Sequence, residues 1–232
     1  MTAVALEVSN LCFQWPQGRW TLDLPSLRLA AGERLFLFGP SGTGKSTLLN
    51  LIAGTLLPSA GRIAVAGKDL STASGPARDR LRADHMGIVF QQFNLLPFLS
   101  LVDNVTLPCR FSAKRRNAAL ARFGSLEAAA RHYLAALGLD DAALASRRVI
   151  ELSVGQQQRV AAARALIGGP ELVLCDEPTS ALDGKNRDQF VSLLFAECEA
   201  ANTALLFVSH DLSLAERFER RQSLAELAEV QR

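Results

Sequence analysis

The run Gly39-Pro40-Ser41-Gly42-Thr43-Gly44-Lys45-Ser46 has the pattern G-x-x-x-x-G-K-[ST], and its residue types suit the holding of a polyphosphate. Glycines let the backbone wrap tightly, so that successive N–H groups can point at phosphate oxygens. Lys45 would place a point charge between the β- and γ-phosphates. The Ser46 hydroxyl has the size and hardness to ligate Mg²⁺, and Thr47 could bond the α-phosphate. The run enters from a short apolar segment, Arg34–Phe38, and leaves into a helical pattern over residues 46–53 that Gly54 stops. A helix beginning there adds partial positive charge at its N-terminus.

A second constellation is Leu172-Val173-Leu174-Cys175-Asp176-Glu177, an apolar strand pattern ending in two carboxylates. Buried carboxylates are costly unless they meet a cation or a donor. Asp176 can hold Mg²⁺, directly or through water, opposite Ser46. Glu177, one residue on, can accept a proton from an attacking water. Phosphoryl transfer needs charge neutralisation and a positioned nucleophile, and this pair supplies one of each. Taken alone, such a pair is equally an acidic cap on the next helix. Beside the phosphate loop, the chemical reading is the stronger.

About twenty residues before the acidic strand stands Leu152-Ser153-Val154-Gly155-Gln156. A serine and a bare backbone at a helix start make a further anion cradle. Here the chain resembles the ABC ATPase family, whose signature is LSGGQ, with Val154 in place of a glycine. The resemblance implies that Ser153, Gly155 and Gln156 bind the γ-phosphate held by a partner subunit. Other family elements follow in the family's order. Gln91, in Val89-Phe90-Gln91-Gln92-Phe93, matches the glutamine that reaches metal or water. Ser180-Ala181-Leu182-Asp183 resembles the segment that crosses the dimer interface, with Asp183 near nucleotide. His210, in Phe207-Val208-Ser209-His210-Asp211, matches the histidine that holds the γ-phosphate. Trp15 stands where the family places an adenine-stacking aromatic; Phe13 and Trp20 are the alternatives.

The elements that must position these residues are legible in outline. Val4, Leu6 and Val8, then Leu22, Leu24, Leu27 and Leu29, read as short strands punctuated by Pro16, Gly18, Pro25 and Gly32. Residues 61–67 alternate like a strand. From about 93 to 166, alanine, leucine and arginine recur at helical spacing. The basic stretch 112–117 reads as a solvated surface loop or helix start. Residues 172–175 and 204–208 return as apolar strands, and residues 214–230 read as an amphipathic helix. Strands alternating with helices predict a parallel α/β sheet. The resemblance makes this a P-loop NTPase ABC-ATPase fold over 1–232. It implies a RecA-like core with an N-terminal antiparallel β subdomain (1–92 and 163–232) and an inserted α-helical subdomain (93–162) that carries the signature.

Composition narrows the class. The chain has 232 residues, 49% of them hydrophobic, and 25 basic against 23 acidic residues. That is enough for a sizeable core, with no field that favours nucleic acid or anionic lipid. The four cysteines, Cys12, Cys109, Cys175 and Cys198, have no metal-ligand spacing. No signal peptide is expected from MTAVALEVSN, and no apolar run approaches a membrane span.

The resemblance therefore implies ATP and Mg²⁺ as cofactors, an ATP-dependent homodimer, and an integral membrane permease as partner, with the chain on the cytoplasmic face of the membrane. No nucleic acid is expected as partner. The stretch 93–101, rich in large apolar residues, is a candidate patch for a permease helix. With Leu101-Val102-Asp103-Asn104-Val105 it is similar to the group containing LolD, MacB and FtsE. An amino-acid importer subunit is the alternative, and a soluble ATPase acting on nucleic acid or ribosomes is a third.

Overall fold

The computed structural model describes residues 3–15, 21–139, 147–180 and 182–231, with no side-chain description for 230 and 231. In chain order its elements are β1 (Val4–Gln14), β2 (Thr21–Ala30), β3 (Arg34–Phe38), α1 (Lys45–Ile52), β4 (Ala60–Val65), β5 (Lys68–Asp69), α2 (Gly75–His85), β6 (Met86–Val89), α3 (Leu101–Thr106), α4 (Pro108–Phe111), α5 (Ala113–Phe123), α6 (Leu126–Ala136), α7 (Val154–Leu166), β7 (Leu172–Asp176), α8 (Gly184–Ala200), β8 (Ala204–Val208), β9 (Arg220–Ser223), α9 (Leu224–Leu227) and β10 (Glu229–Gln231). One sheet is antiparallel, in the order β10-β2-β1-β4-β5. The other is parallel, in the order β6-β7-β8-β3-β9. The architecture is α/β, an antiparallel sheet beside a parallel sheet with helices.

Strand parity sets what faces what. In β1, Leu6 and Val8 are buried, then Leu11 and Phe13, so the phase slips by one residue. The slip lies where pairing with β4 shifts between Ser9 and Cys12, and Asn10 takes φ 48°. One extra residue in a strand flips every later side chain to the other face. The bulge presses on Gly61, where a Cβ would lie 2.1 Å from the Asn10 carbonyl oxygen, so only glycine fits. Trp15, one step past the strand, follows the parity of Leu11 and Phe13.

The parallel sheet is a wall between two cores. Leu35 and Leu37 of β3, Leu172 and Leu174 of β7, and Leu206 and Val208 of β8 pack towards α1 and the antiparallel sheet. Phe36, Val173, Cys175, Leu205 and Phe207 pack towards the helices. Strands buried on both faces read as unbroken apolar runs, which is why RLFLF, LVLC and ALLFV show no alternation in sequence. Parity then aims Asp176, two residues after Leu174, at the face that carries α1.

Helices α3 to α6 cover most of residues 101–136, and α7 follows at Val154–Leu166. Serines cap α3, α5 and α6: Ser100, Ser112 and Ser125 accept from the N–H groups of Asp103, Arg115 and Ala128 at 3.0, 3.0 and 3.1 Å. The basic stretch 112–117 departs from expectation at two residues, the buried cap Ser112 and Arg115. Arg115 is buried and its guanidinium donates to the carbonyls of Ile167 (2.7 Å), Met86 (3.0 Å), Arg164 (3.2 Å) and Ala165 (2.7 Å). It satisfies the open end of α7 and ties α5 to β6, so it is a rivet and no solvated charge.

The expected helix over 214–230 is also corrected. A 3₁₀ turn at Leu212–Arg217 leads into β9, the four-residue α9 and β10. β9 pairs in parallel with β3, and β10 pairs with β2. Pairing with exposed sheet edges satisfies backbone groups that a helix would satisfy internally, and the apolar spacing of Leu214, Leu224 and Leu227 carries no trace of that choice. Arg220 anchors the turn-back on Glu33 (2.7 Å) and the Arg28 carbonyl (2.6 Å).

Glu171, just before β7, is bonded by His85 (3.2 Å) and by the Lys114 ammonium, so α2 and α5 meet there. Burial raises the carboxyl's pKa, but those hydrogen bonds and charges outweigh it and hold it at about 2. Its contribution is therefore present above the ordinary value of 4.5 and is lost as pH falls towards 2. Urea midpoints should fall faster across that window in the wild-type chain than in Glu171→Gln. Parallel curves would remove the assignment.

Candidate nucleotide site

β3 delivers the chain into the glycine-rich loop, and α1 begins at Lys45. Gly44 precedes that helix at φ 96°, a left-handed value that favours glycine. Thr43 closes the loop, its N–H and hydroxyl both bonding the Pro40 carbonyl, at 3.4 and 2.9 Å. Lys45 is buried, and its ammonium donates to the carbonyls of Gly39 (2.8 Å) and Pro40 (3.0 Å).

Ser46, at the start of α1, stands close enough to the Asp176 carboxylate to favour its charged form, on the face to which the parity of β7 aims it. Burial pushes the Asp176 pKa up and the Glu177 charge adds to this; Ser46 and Lys45 oppose it. A partly buried carboxylate with a raised pKa is one whose charge the surroundings leave under-compensated. Glu177 breaks the strand's alternation at φ 47°, rare for a residue with a Cβ. Its N–H is held by the Val208 carbonyl at 2.9 Å, and its carboxylate lies 2.9 Å from His210 Nδ1. With Glu177 ionised, Nδ1 must be the donor, so Nε2 donates to a third group only in the imidazolium form.

A cavity of about 560 Å³ opens over the loop. It is lined by Trp15, by Ser41, Gly42, Gly44, Lys45, Ser46 and Thr47, and by Gln91 and Glu177. That is within the size range of small-ligand pockets. Of the candidate aromatics, Phe13 is buried in the core, while Trp15 is 44% exposed, packs edge-on to Phe13 and lines the cavity. Trp20 lies outside the described residues. A neighbouring cavity of about 490 Å³ shares Glu177 and is lined also by Thr179, Ser209 and His210.

The signature residues line neither cavity. Ser153 caps α7 in a reciprocal box: its Oγ accepts from the Gln156 N–H at 3.3 Å, and its own N–H donates to Gln156 Oε1 at 3.0 Å. Gly155 faces Leu182, whose side chain a Cβ would meet at 3.2 Å, and Val154 is half exposed. Asp183 caps α8, taking bonds from Asn186 N (3.0 Å) and Nδ2 (2.7 Å) that lower its pKa. In the apolar stretch 93–101, Phe93 and Leu95 pack against the core and Leu101 is buried, while Phe98 is exposed. A separate groove of about 480 Å³ lies between α2 and α4, and holds the exposed Phe111 beside Arg82, Arg115 and Arg164. Arg115 and Arg164 carry no signal in the sequence beyond charge within apolar helices.

A phosphate loop between β3 and α1, with an acidic pair at the end of β7, one strand removed from β3 in the same parallel sheet, defines a nucleoside triphosphatase of the phosphate-loop class. The family model described as ABC transporter matches residues 22–180. Two solved structures agree over 94% of this chain and 93% of theirs. One is a dimeric post-hydrolysis state of the ATP-binding cassette MJ0796 bound to ADP and Pi, at 31% identity and TM-score 0.79. The other is a dimeric structure of MJ0796, a bacterial ABC transporter cassette, at 33% identity and TM-score 0.77. The chain belongs to the ABC transporter family as its ATP-binding cassette, and it is an ATPase. Among the described residues, no helix is long and apolar enough to cross a membrane.

Proposed function

We propose that this cassette works as a head-to-tail homodimer that drives a membrane permease on the cytoplasmic face of the membrane. One observation carries the reading: the loop cavity holds Lys45, Ser46, Gln91 and Glu177, while Ser153 and Gly155 line no part of it. A second copy, turned head to tail, would bring that serine-led helix tip onto the nucleotide. The dimeric state of the related cassette supports this.

In this reading Trp15 stacks on adenine, and the loop from Gly39 through Pro40, Ser41, Gly42, Thr43, Gly44 and Thr47 wraps the phosphates. Lys45 exchanges neutral carbonyls for phosphate oxygens, and such charge-assisted bonds are the stronger ones. Ser153 and Gly155 meet the γ-phosphate from the partner, and Asp183 lies at the interface. Gln156 acts through its cap on Ser153. Glu177 takes the proton of the attacking water, and His210 holds the γ-phosphate.

The residues fit Mg²⁺. Ser46 and Asp176 are hard oxygen donors close to one another, the Asp176 charge is left under-compensated by its burial, and Gln91 lines the same cavity as Ser46. When bound, the ion neutralises charge on the β- and γ-phosphate oxygens. Closure on ATP and opening after hydrolysis would move the helical subdomain (93–162) against the core (1–92 and 163–232), and the groove beside Phe111 is where a permease segment would feel it. The resemblance over 93–105 favours a LolD-, MacB- or FtsE-like complex for export, extraction or mechanotransmission.

Mixing two inactive variants tests the dimer. Lys45→Ala loses the loop and Ser153→Arg loses the tip; each alone should be inactive. A mixed dimer keeps one intact composite site, so a one-to-one mixture should recover up to about a quarter of wild-type turnover. A mixture as inactive as its parts would overturn the head-to-tail arrangement.

A further inference from the structure

Arg164 stands in the last turn of α7, partly buried, and no ion pair holds it among the described residues. Its guanidinium forks onto two successive carbonyls, Nη2 to Phe93 (2.5 Å) and Nη1 to Asn94 (2.7 Å). Those two residues are left-handed, at φ 57° and 48°. Such backbone persists where neighbours over-determine it. Two residues upstream, Gln91 lines the nucleotide cavity. The other end of the same helix is capped by Ser153.

We infer that Arg164 is the positioning residue of the Gln91 loop, its fork making that loop follow the helix that Ser153 begins. α7 has 13 residues, which at 1.5 Å per residue makes a rod roughly 20 Å long. Its far end is anchored again by Arg115, which bonds the Arg164 and Ala165 carbonyls. A tilt of the rod therefore moves the turn that carries Gln91. Arg164 and Arg115 also line the groove beside Phe111, so an occupant of the groove touches the same fork. Burial lowers the Arg164 pKa to about 10, which leaves it charged at neutral pH. Only a planar fork suits two adjacent carbonyls; lysine offers a point charge without that geometry. The functional half of this inference rests on the proposed dimer, in which Ser153 meets nucleotide; the clamp on the loop does not.

Two measurements on the full chain test it. In Arg164→Lys, amide exchange of a peptide covering residues 90–96 should rise about tenfold, with peptides from α1 and β7 unchanged. ATP affinity should hold, while kcat falls roughly ten- to a hundredfold, the scale of a small misplacement near the reacting groups. Because Arg164 acts through Gln91, Arg164→Lys added to Gln91→Ala should cost little beyond Gln91→Ala alone. Unchanged exchange at 90–96, or kcat losses that multiply in the double variant, would overturn the inference. Should Arg164→Lys aggregate, Arg164→Gln carries the same test. A wild-type chain that binds no ATP would strike the nucleotide reading instead, and the exchange measurement would still judge the clamp.

Discussion

Glu177→Gln should lower steady-state ATP turnover by roughly 10²- to 10⁴-fold, the range of a lost general base. Nucleotide affinity should stay within a few-fold of wild type. Glutamine keeps the shape of the side chain and can still bond His210, which lies 2.9 Å from the carboxylate. It cannot accept a proton. The left-handed backbone at φ 47° and the bond from its N–H to the Val208 carbonyl are main-chain features that the substitution leaves alone. Loop, lysine and serine would thus bind ATP as before, and the complex would stall with its γ-phosphate intact. Light scattering with ATP and Mg²⁺ should then find a dimer that wild type forms only transiently. Coupled-assay turnover equal to wild type would remove Glu177 from its proposed role.

Arg115→Ala should cost roughly 3–6 kcal/mol of folding stability, since several buried carbonyls lose their donor at about 1–3 kcal/mol each. That approaches the whole stability of a domain, typically about 5–15 kcal/mol. The carbonyls concerned, those of Met86, Ala165 and Ile167, lie where β6 starts and α7 ends, so α5 would lose its hold on the parallel sheet. Arg116→Ala, an exposed neighbour, should move the urea midpoint by no more than about 0.5 kcal/mol equivalent. Equal midpoints for the two variants would show that the buried guanidinium holds nothing together.

The phosphate loop is legible from sequence because the residues that wrap a phosphate are contiguous there, and the strand and helix around it have local patterns. Asp176 is legible for the same reason: an apolar run ends in charge. Trp15 is only half legible, because it shares the parity of Phe13; what separates the two is that Phe13 lies within β1 and is buried in the core, while Trp15 stands past the strand's end and lines the cavity. Arg115 and Arg164 look like the other arginines of an alanine-rich helical stretch. What separates them is the set of distant carbonyls they reach. The tail over 212–231 misleads for a related reason: the choice of strand over helix is made by the free edges of β2 and β3, formed by the other end of the chain.

Those two edges have a consequence for the order of events during synthesis. β2 and β3 are complete once residue 38 has been made, yet the strands that cover them lie at 220–231. At about 5–20 residues per second, the gap is roughly 10 to 40 s. For that interval the nascent chain presents bare strand rims, the kind of surface on which neighbouring nascent chains nucleate aggregates. Yield in a heterologous host should thus hinge on chaperone supply and on translation speed between residues 38 and 220, more than on the stability of the finished cassette.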